Sequence, residues 1–153
     1  MKPKIKGWGS DDAQIKRFIK KVAGKDIRFR WYWSPRHRDY NYGGFANTRG
    51  RGYIGLHRKN FARYNDVERR ATIFHEIGHF FVYHTSVSKK EYLVQRWAIR
   101  RANKLRMHRV ARNMINFILS WENFKWDSEH RIYILAARLA KKHRIKRLLK
   151  GRK

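Results

Sequence analysis

Cysteine is missing from all 153 residues, which removes disulfides, thiolate catalysis and every cysteine-ligated zinc finger or ribbon at once. A metal held by this chain must sit on histidine and carboxylate. Acids are scarce as well: eleven Asp and Glu face thirty-nine Lys and Arg, a formal net charge of +28. That excess is far beyond what keeps a small domain soluble, and it makes a polyanion the natural partner. No stretch approaches the roughly 18 uninterrupted apolar residues of a membrane span. The basic start, Met1 to Ser10, has no apolar run of roughly 7 to 15 residues behind it, so no secretory signal is expected. Cytoplasmic residence is the expectation, with a nucleoid or a virion interior as equivalent settings. Internal repeats and low-complexity linkers are also lacking.

What is present suits a globular chain. Apolar residues make up 42% and aromatics 15%, with six Trp, ample material for a core at a size that fits one domain over 1–153. Its last part, 128–153, reads as a basic C-terminal helix or tail. Ile15, Phe18, Ile19 and Val22 recur at helical spacing after Ser10, a candidate cap, and before Gly24, a candidate left-handed stop. Residues 26–33 alternate as a half-buried strand, ended by Pro35. Residues 43–48 and 53–58 read as two more strands joined through Arg49-Gly50-Arg51-Gly52. Asn65 with Glu68, and Ser88 with Glu91, carry the spacing of capping boxes that open two helices. The second runs through Val94, Trp97, Ala98, Ala102 and Leu105, and it either continues or breaks before Val110 to Leu119. Asp127 and Ser128 offer caps for a last helix reaching Ile145. The order of one helix, a small three-stranded antiparallel sheet and then helices alone predicts an α+β fold.

Chemistry concentrates in His75-Glu76-Ile77-Gly78-His79. Residues four apart share a helix face, so His75 and His79 can direct two imidazoles at one ion, most naturally zinc. Glu76 is adjacent to that ion. Zinc acidifies water toward neutrality, and a nearby carboxylate can take the proton and later deliver it to a leaving amine, which is amide hydrolysis. Eight histidines in this composition produce His-Glu-x-x-His by chance on the order of once in a hundred such chains, so accident is the weaker explanation. Gly78 inside the helix lowers its stability by about 1 kcal/mol relative to Ala and suggests close packing there.

On these residues the chain resembles the zincin metallopeptidases, and among them the ImmA/IrrE-like group, over roughly residues 40 to 100. The resemblance implies a zincin-like fold, a zinc cofactor, a protein or peptide substrate and Glu76 as the catalytic base. In that group a further acidic ligand comes from the next helix, in a Glu-x-Glu-Ala-Asn-x-Phe-Ala pattern. Glu91-Tyr92-Leu93-Val94-Gln95-Arg96-Trp97-Ala98 lines up with it, with Leu93 in place of the second glutamate and Gln95 in place of the asparagine. Glu91 then joins His75 and His79 as the third ligand, unless it only completes the box with Ser88. His84 is its rival, about 140 degrees round an ideal helix from His79. His57 at a strand end is a weaker candidate, and His108 and His130 read as surface residues. A looser resemblance to SprT-like proteases rests on the zincin plan and the basic character. Those enzymes use a third histidine farther downstream, and none occurs here between His84 and His108.

From Arg96 to Lys153 eighteen Lys and Arg face only Glu122, Asp127 and Glu129, and Lys141, Lys142, Arg144, Lys146 and Arg147 form the densest stretch. A solvated helix face normally mixes both signs, whereas one sign at this density suits phosphate backbones, with an anionic membrane surface or an acidic protein as the alternative partners. Contact with phosphates and not bases is expected, because no sequence-reading motif is present. Trp31, Tyr32, Trp33, Tyr40 and Tyr42 interleave with Arg28, Arg30, Arg36 and Arg38. They could stack on unpaired bases, although alternating aromatics on a strand are more often core. Two functions of different class follow. One is a zinc metallopeptidase acting on nucleic-acid-associated proteins; the other is a non-enzymatic basic nucleic-acid-binding protein with a structural metal.

Overall fold

The computed structural model describes residues 3–33, 43–82, 87–123 and 131–149. It is an α+β structure that divides into two compact units, Met1–Phe80 and Phe81–Lys153.

In the first unit, helix α1 (Asp12–Ala23) buries Ile15, Phe18, Ile19 and Val22, the stripe its spacing dictates. Asp11, and not Ser10, caps it, its carboxylate accepting from the Ala13 amide at 2.9 Å. Gly24 closes it in the left-handed conformation, with φ 73°. Strands β1 (Phe29–Tyr32), β2 (Gly44–Asn47) and β3 (Tyr53–His57) make one sheet in the order β1-β3-β2.

The sheet is mixed, which corrects the expectation of an antiparallel one. β2 and β3 are antiparallel, a hairpin whose turn takes positive φ at Gly50 and Gly52. β1 lies on the far side of β3 and runs parallel to it, pairing Phe29 with Ile54 and Tyr32 with His57. Alternation of side chains states which face of a strand is apolar, and it carries no information on neighbour or direction. Burial is what identifies β3 as the central strand: Ile54, Gly55 and Leu56 are all buried.

A short helix unforeseen in the sequence, α2 (Arg58–Arg63), follows β3 directly and buries Phe61. Helix α3 (Asp66–Phe81) opens on the expected capping box, Asn65 amide to Glu68 Oε1 at 3.0 Å and Glu68 amide to Asn65 Oδ1 at 2.9 Å. Aromatic rings meet edge to face in this core, Trp8 on Phe18, Phe18 on Phe74 and Trp31 on Phe61.

The second unit is helical. Helix α4 (Val87–Lys104) begins before Ser88, so Ser88 does not occupy its cap. The α4 to α5 stretch breaks: Met107 donates to the Ala102 carbonyl and Arg106 to that of Asn103, with Arg106 at φ 60°. This is a Schellman-type stop built without glycine. Helix α5 (His108–Ser120) runs into a 3-10 turn, Trp121–Asn123. Helix α6 (Ile132–Lys142) ends before Ile145, which is buried instead in a separate 3-10 segment, Ile145–Leu149. Asp127 and Ser128, expected as caps, lie outside the described residues. Helices α4, α5 and α6 pack pairwise. Ala98, Ala102, Ala111, Ala136, Ala137 and Ala140 are fully buried, which lets backbones approach closely.

Candidate metal centre

Helix α3 carries His75 and His79 one turn apart, their rings 5.2 Å between centroids, as the i, i+4 geometry requires. Both are half-buried, while Glu76 between them is buried, 7% exposed. The opposite side of α3, through Ile73, Phe74 and Ile77, is fully buried in the apolar core and fixes the rotation of the helix. Gly78 is buried as well.

A second element approaches Glu76. The backbone at Gly43 and Gly44 passes over α3 so closely that a Cβ on Gly43 would meet Tyr64 at 2.6 Å and Thr72 at 2.9 Å, and one on Gly44 would meet Glu76 Cγ at 3.5 Å. Thr72 and Glu76 are one turn apart, so the glycine pair follows the helix face that leads to the Glu76 carboxylate. The Gly43 carbonyl accepts from the His57 amide at 2.8 Å, which pins this approach to the central strand. Thr72 hydroxyl donates to the Glu68 carbonyl at 2.9 Å. Burial, and after it the Glu68 carboxylate, raise the Tyr64 phenol above its ordinary pKa.

Glu91 belongs to α4 and is 4% exposed. A carboxylate is rarely buried to that degree without a partner of opposite charge or a metal. His75, His79 and Glu91 each offer one ligand atom, these atoms all lie within 4.8 Å of one another, and the group could hold a metal ion. The donor set, two imidazoles and one carboxylate, is chemically suited to zinc.

Other candidates fall elsewhere. His57 sits on the sheet face shared with Tyr32 and Phe45, its ring 6.4 and 6.0 Å from theirs. On β3 it points opposite to its neighbour Leu56, which is fully buried. His108 is the exposed first residue of α5. His84 and His130 lie outside the described residues. Gln95, aligned above with the asparagine of the zincin pattern, is 1% exposed and donates from Nε2 to the Met114 carbonyl at 2.9 Å, tying α4 to α5.

Of the basic stretch, Lys141, Lys142, Arg144, Lys146 and Arg147 are all exposed. Lys141 is bound to the Glu122 carboxylate, which Arg138 also approaches at 3.6 Å. That hydrogen bond with Lys141 is the main reason the Glu122 carboxyl is held below its usual pKa. Arg144 takes φ 52°, turning the chain between α6 and the last 3-10 segment. Among the described residues no helix is long and apolar enough to cross a membrane.

Arg69 is a structural residue that sequence reasoning missed. It is 3% exposed, and its guanidinium donates to the carbonyls of Phe61 (2.9 Å), Lys6 (2.6 Å), Trp8 (2.6 Å) and Ala62 (3.3 Å). It fastens the N-terminal segment and α2 to the helix that carries the two histidines. Its position beside the capping box reads as one more exposed cation, and periodicity offers no signal to the contrary.

No family model, curated protein or solved structure matches the chain, and the chemistry of the site rests on its own residues.

Proposed function

We propose that this chain is a zinc-dependent metallopeptidase of the His-Glu-x-x-His type, with His75, His79 and Glu91 as metal ligands and Glu76 as general base, acting on protein substrates associated with nucleic acid. One observation carries the reading: the ligand atoms of those three residues lie within 4.8 Å of one another, and two of them flank a buried glutamate on one helix. Three protein ligands leave a fourth tetrahedral position open, the pattern of a catalytic rather than a structural site. The resemblance of residues 75–79 and 91–98 to the ImmA/IrrE-like zincins supports the same conclusion.

Zinc, when bound, supplies the Lewis acidity that brings water within reach of a carboxylate base near neutral pH. The remaining work falls to the chain. His75 and His79 as neutral imidazoles and Glu91 as the one carboxylate ligand would cancel only part of the charge of a bound zinc ion, which would supply the stabilisation of an amide oxygen gathering negative charge. Glu76 takes a proton from the attacking water as the water oxygen bonds to the amide carbon, and hands it to the departing amine nitrogen as the C–N bond breaks, so one group serves as base and then as acid. Gly43 and Gly44 leave the approach to Glu76 without side chains.

The nucleic-acid part of the proposal draws on charge. Four exposed cations, Lys142, Arg144, Lys146 and Arg147, sit together at the end of α6 and just beyond it. They suit a phosphate backbone and bring the enzyme to proteins bound there.

Metal analysis of the purified protein tests the proposal. About one zinc per chain is expected, lost when His75 and His79 are both changed to Ala. Glu91→Ala should weaken zinc binding about tenfold or more. Glu76→Gln should keep its zinc and lose peptide hydrolysis by about two to four orders of magnitude. Zinc retained by the double histidine variant would place the site elsewhere. Zinc bound by the intact protein without turnover of any protein or peptide would favour a structural metal in a nucleic-acid-binding protein.

A further inference from the structure

The three-stranded sheet has two unlike faces. One carries Ile54 and Leu56, fully buried, against the helices of its unit. The other carries Arg30 and Tyr32 from β1, Phe45 and Asn47 from β2, and Tyr53 and His57 from β3, with Gly55 at its centre. Arg30 is exposed, and Tyr32, Phe45 and Tyr53 are half-exposed. Gly55 has a definite use here, because a Cβ on it would collide with the Phe45 ring. Its absence lets that ring lie across the central strand.

The aromatic groups on this face are held in place. Tyr32 and Phe45 meet edge to face at 4.8 Å, and Phe45 and Tyr53 at 6.1 Å. The hydroxyls of Tyr32 and Tyr53 are 3.1 Å apart and hydrogen-bonded. The Arg30 guanidinium lies over the Tyr53 ring, 4.7 Å from its centroid. A planar cation already stacked on a tyrosine offers its outer face to another flat group. Charge defines which flat group: between Ile27 and Asn65 the sequence has nine Lys and Arg and one acid, Asp39. Arg28, Arg49 and Arg51 are exposed at the ends of these strands.

We propose that this outer sheet face binds single-stranded nucleic acid, unpaired bases stacking on Tyr32, Phe45 and the Arg30–Tyr53 pair while the surrounding arginines hold the phosphates. Aromatic rings on a sheet with a basic surround are a recurrent solution for unpaired strands, because every base has a π face and a duplex hides its own. The site is built from residues 28–32 and 45–57, on the face opposite Leu56, and it stands whether or not the metal centre is catalytic. The aromatic and arginine interleaving in the sequence is thus divided by the strand. Trp31 turns inward to Phe61, hydrogen-bonded through Nε1 to Asp12 at 2.9 Å, and Tyr32 turns outward.

Fluorescence anisotropy with a labelled 12-nucleotide oligothymidylate, a duplex of equal length and phosphatidylglycerol vesicles tests the assignment on the full chain. Tyr53→Leu should weaken the single strand about tenfold and leave duplex and vesicle binding within about twofold, while Tyr53→Phe stays near the parent for all three. Unchanged single-strand affinity in Tyr53→Leu, or an equal loss on duplex or vesicles, overturns it. A second measurement uses the unaltered protein, photocrosslinked to an oligomer containing 5-iodouracil and mapped by peptide. Crosslinks at Tyr32, Phe45 or Tyr53 are expected, and crosslinks confined to residues 96–153 overturn the assignment even if Tyr53→Leu fails to fold.

Discussion

Residues 1–80 and residues 81–153 bury their cores with different side chains and use their few acids differently. The first unit packs large rings edge to face, Trp8, Phe18, Phe74, Trp31 and Phe61, and among its described residues admits one buried cation, Arg69, whose donors go to four backbone carbonyls. The second brings helices together on fully buried alanines. In the first, Asp11 and Glu68 cap helices and Asp12 accepts from Trp31. In the second, acids are only Glu91, Glu122, Asp127 and Glu129 against twenty Lys and Arg; Glu91 is buried and Glu122 is engaged by Lys141 and Arg138. A region whose acids support local structure can mix charges on its surface. A region that lacks acids to spare presents a single sign, which is the arrangement expected of a phosphate-binding surface.

The largest effect expected from breaking this contrast comes from charge. Changing Lys141, Lys142, Arg144, Lys146 and Arg147 together to Gln should flatten the slope of log affinity against log salt by about three to four units and weaken duplex binding on the order of a thousandfold at 0.1 M salt. Lys141 adds little to that sum because Glu122 already holds it. A salt-titrated anisotropy series measures the slope, and an unchanged slope would move duplex binding off these residues.

The two cores can be broken separately. Arg69→Met keeps most of the apolar stem and strands four carbonyls, a loss of about 3 kcal/mol. Ala137→Leu forces a larger side chain between closely packed helices and should lower stability by about 2 kcal/mol. Denaturant unfolding gives the magnitudes, and hydrogen exchange shows where they act. Arg69→Met should speed exchange chiefly in residues 5–31 and 54–77, and Ala137→Leu chiefly in residues 91–142. Equal acceleration throughout by either variant would show that the two cores unfold as one.

Much of this contrast was legible in the sequence, and the unread part has physical causes. The stripes of α1 and α3, the Asn65 and Glu68 box, the stop at Gly24 and the glycine turn at 50–52 are local signals, written within four residues of where they act. The histidine pair is of the same kind, since spacing alone puts both rings on one face. Neighbour order in the sheet is a long-range property, and the alternation in 26–33 was compatible with either direction for β1. The break at Arg106 was hidden because the left-handed residue is not glycine, so the α4 stretch reads equally well as one helix or two. Burial of Glu91 could not be foreseen either, since its spacing from Ser88 offered an ordinary exposed role. Arg69 shows the general difficulty: a buried cation satisfied by carbonyls from 61–62 and from 6–8 leaves no mark on its own neighbourhood.

The smallest expected effect belongs to the first unit's outer sheet face. The Tyr32 and Tyr53 hydroxyls share one hydrogen bond, and the two groups titrate as a pair. The hydrogen bond with Tyr32, and then that with Asn47, hold the Tyr53 phenol below its ordinary value, whereas the same contact with Tyr53 holds Tyr32 above it. An ultraviolet titration of the folded protein should therefore show one tyrosine ionising early, and Tyr53→Phe should remove that step. The linkage has a definite sign. A folded pKa lower than the unfolded value of about 10 means that the unfolded chain holds the proton longer, so the Tyr53 contribution to stability rises as pH climbs from the lowered value to about 10. Over that window the parent should gain stability relative to Tyr53→Phe, and below it the difference should be flat. The gain is small because the pair is solvated. A parent that loses stability relative to Tyr53→Phe across the same window would mean that neither phenol of the pair is held below its ordinary value.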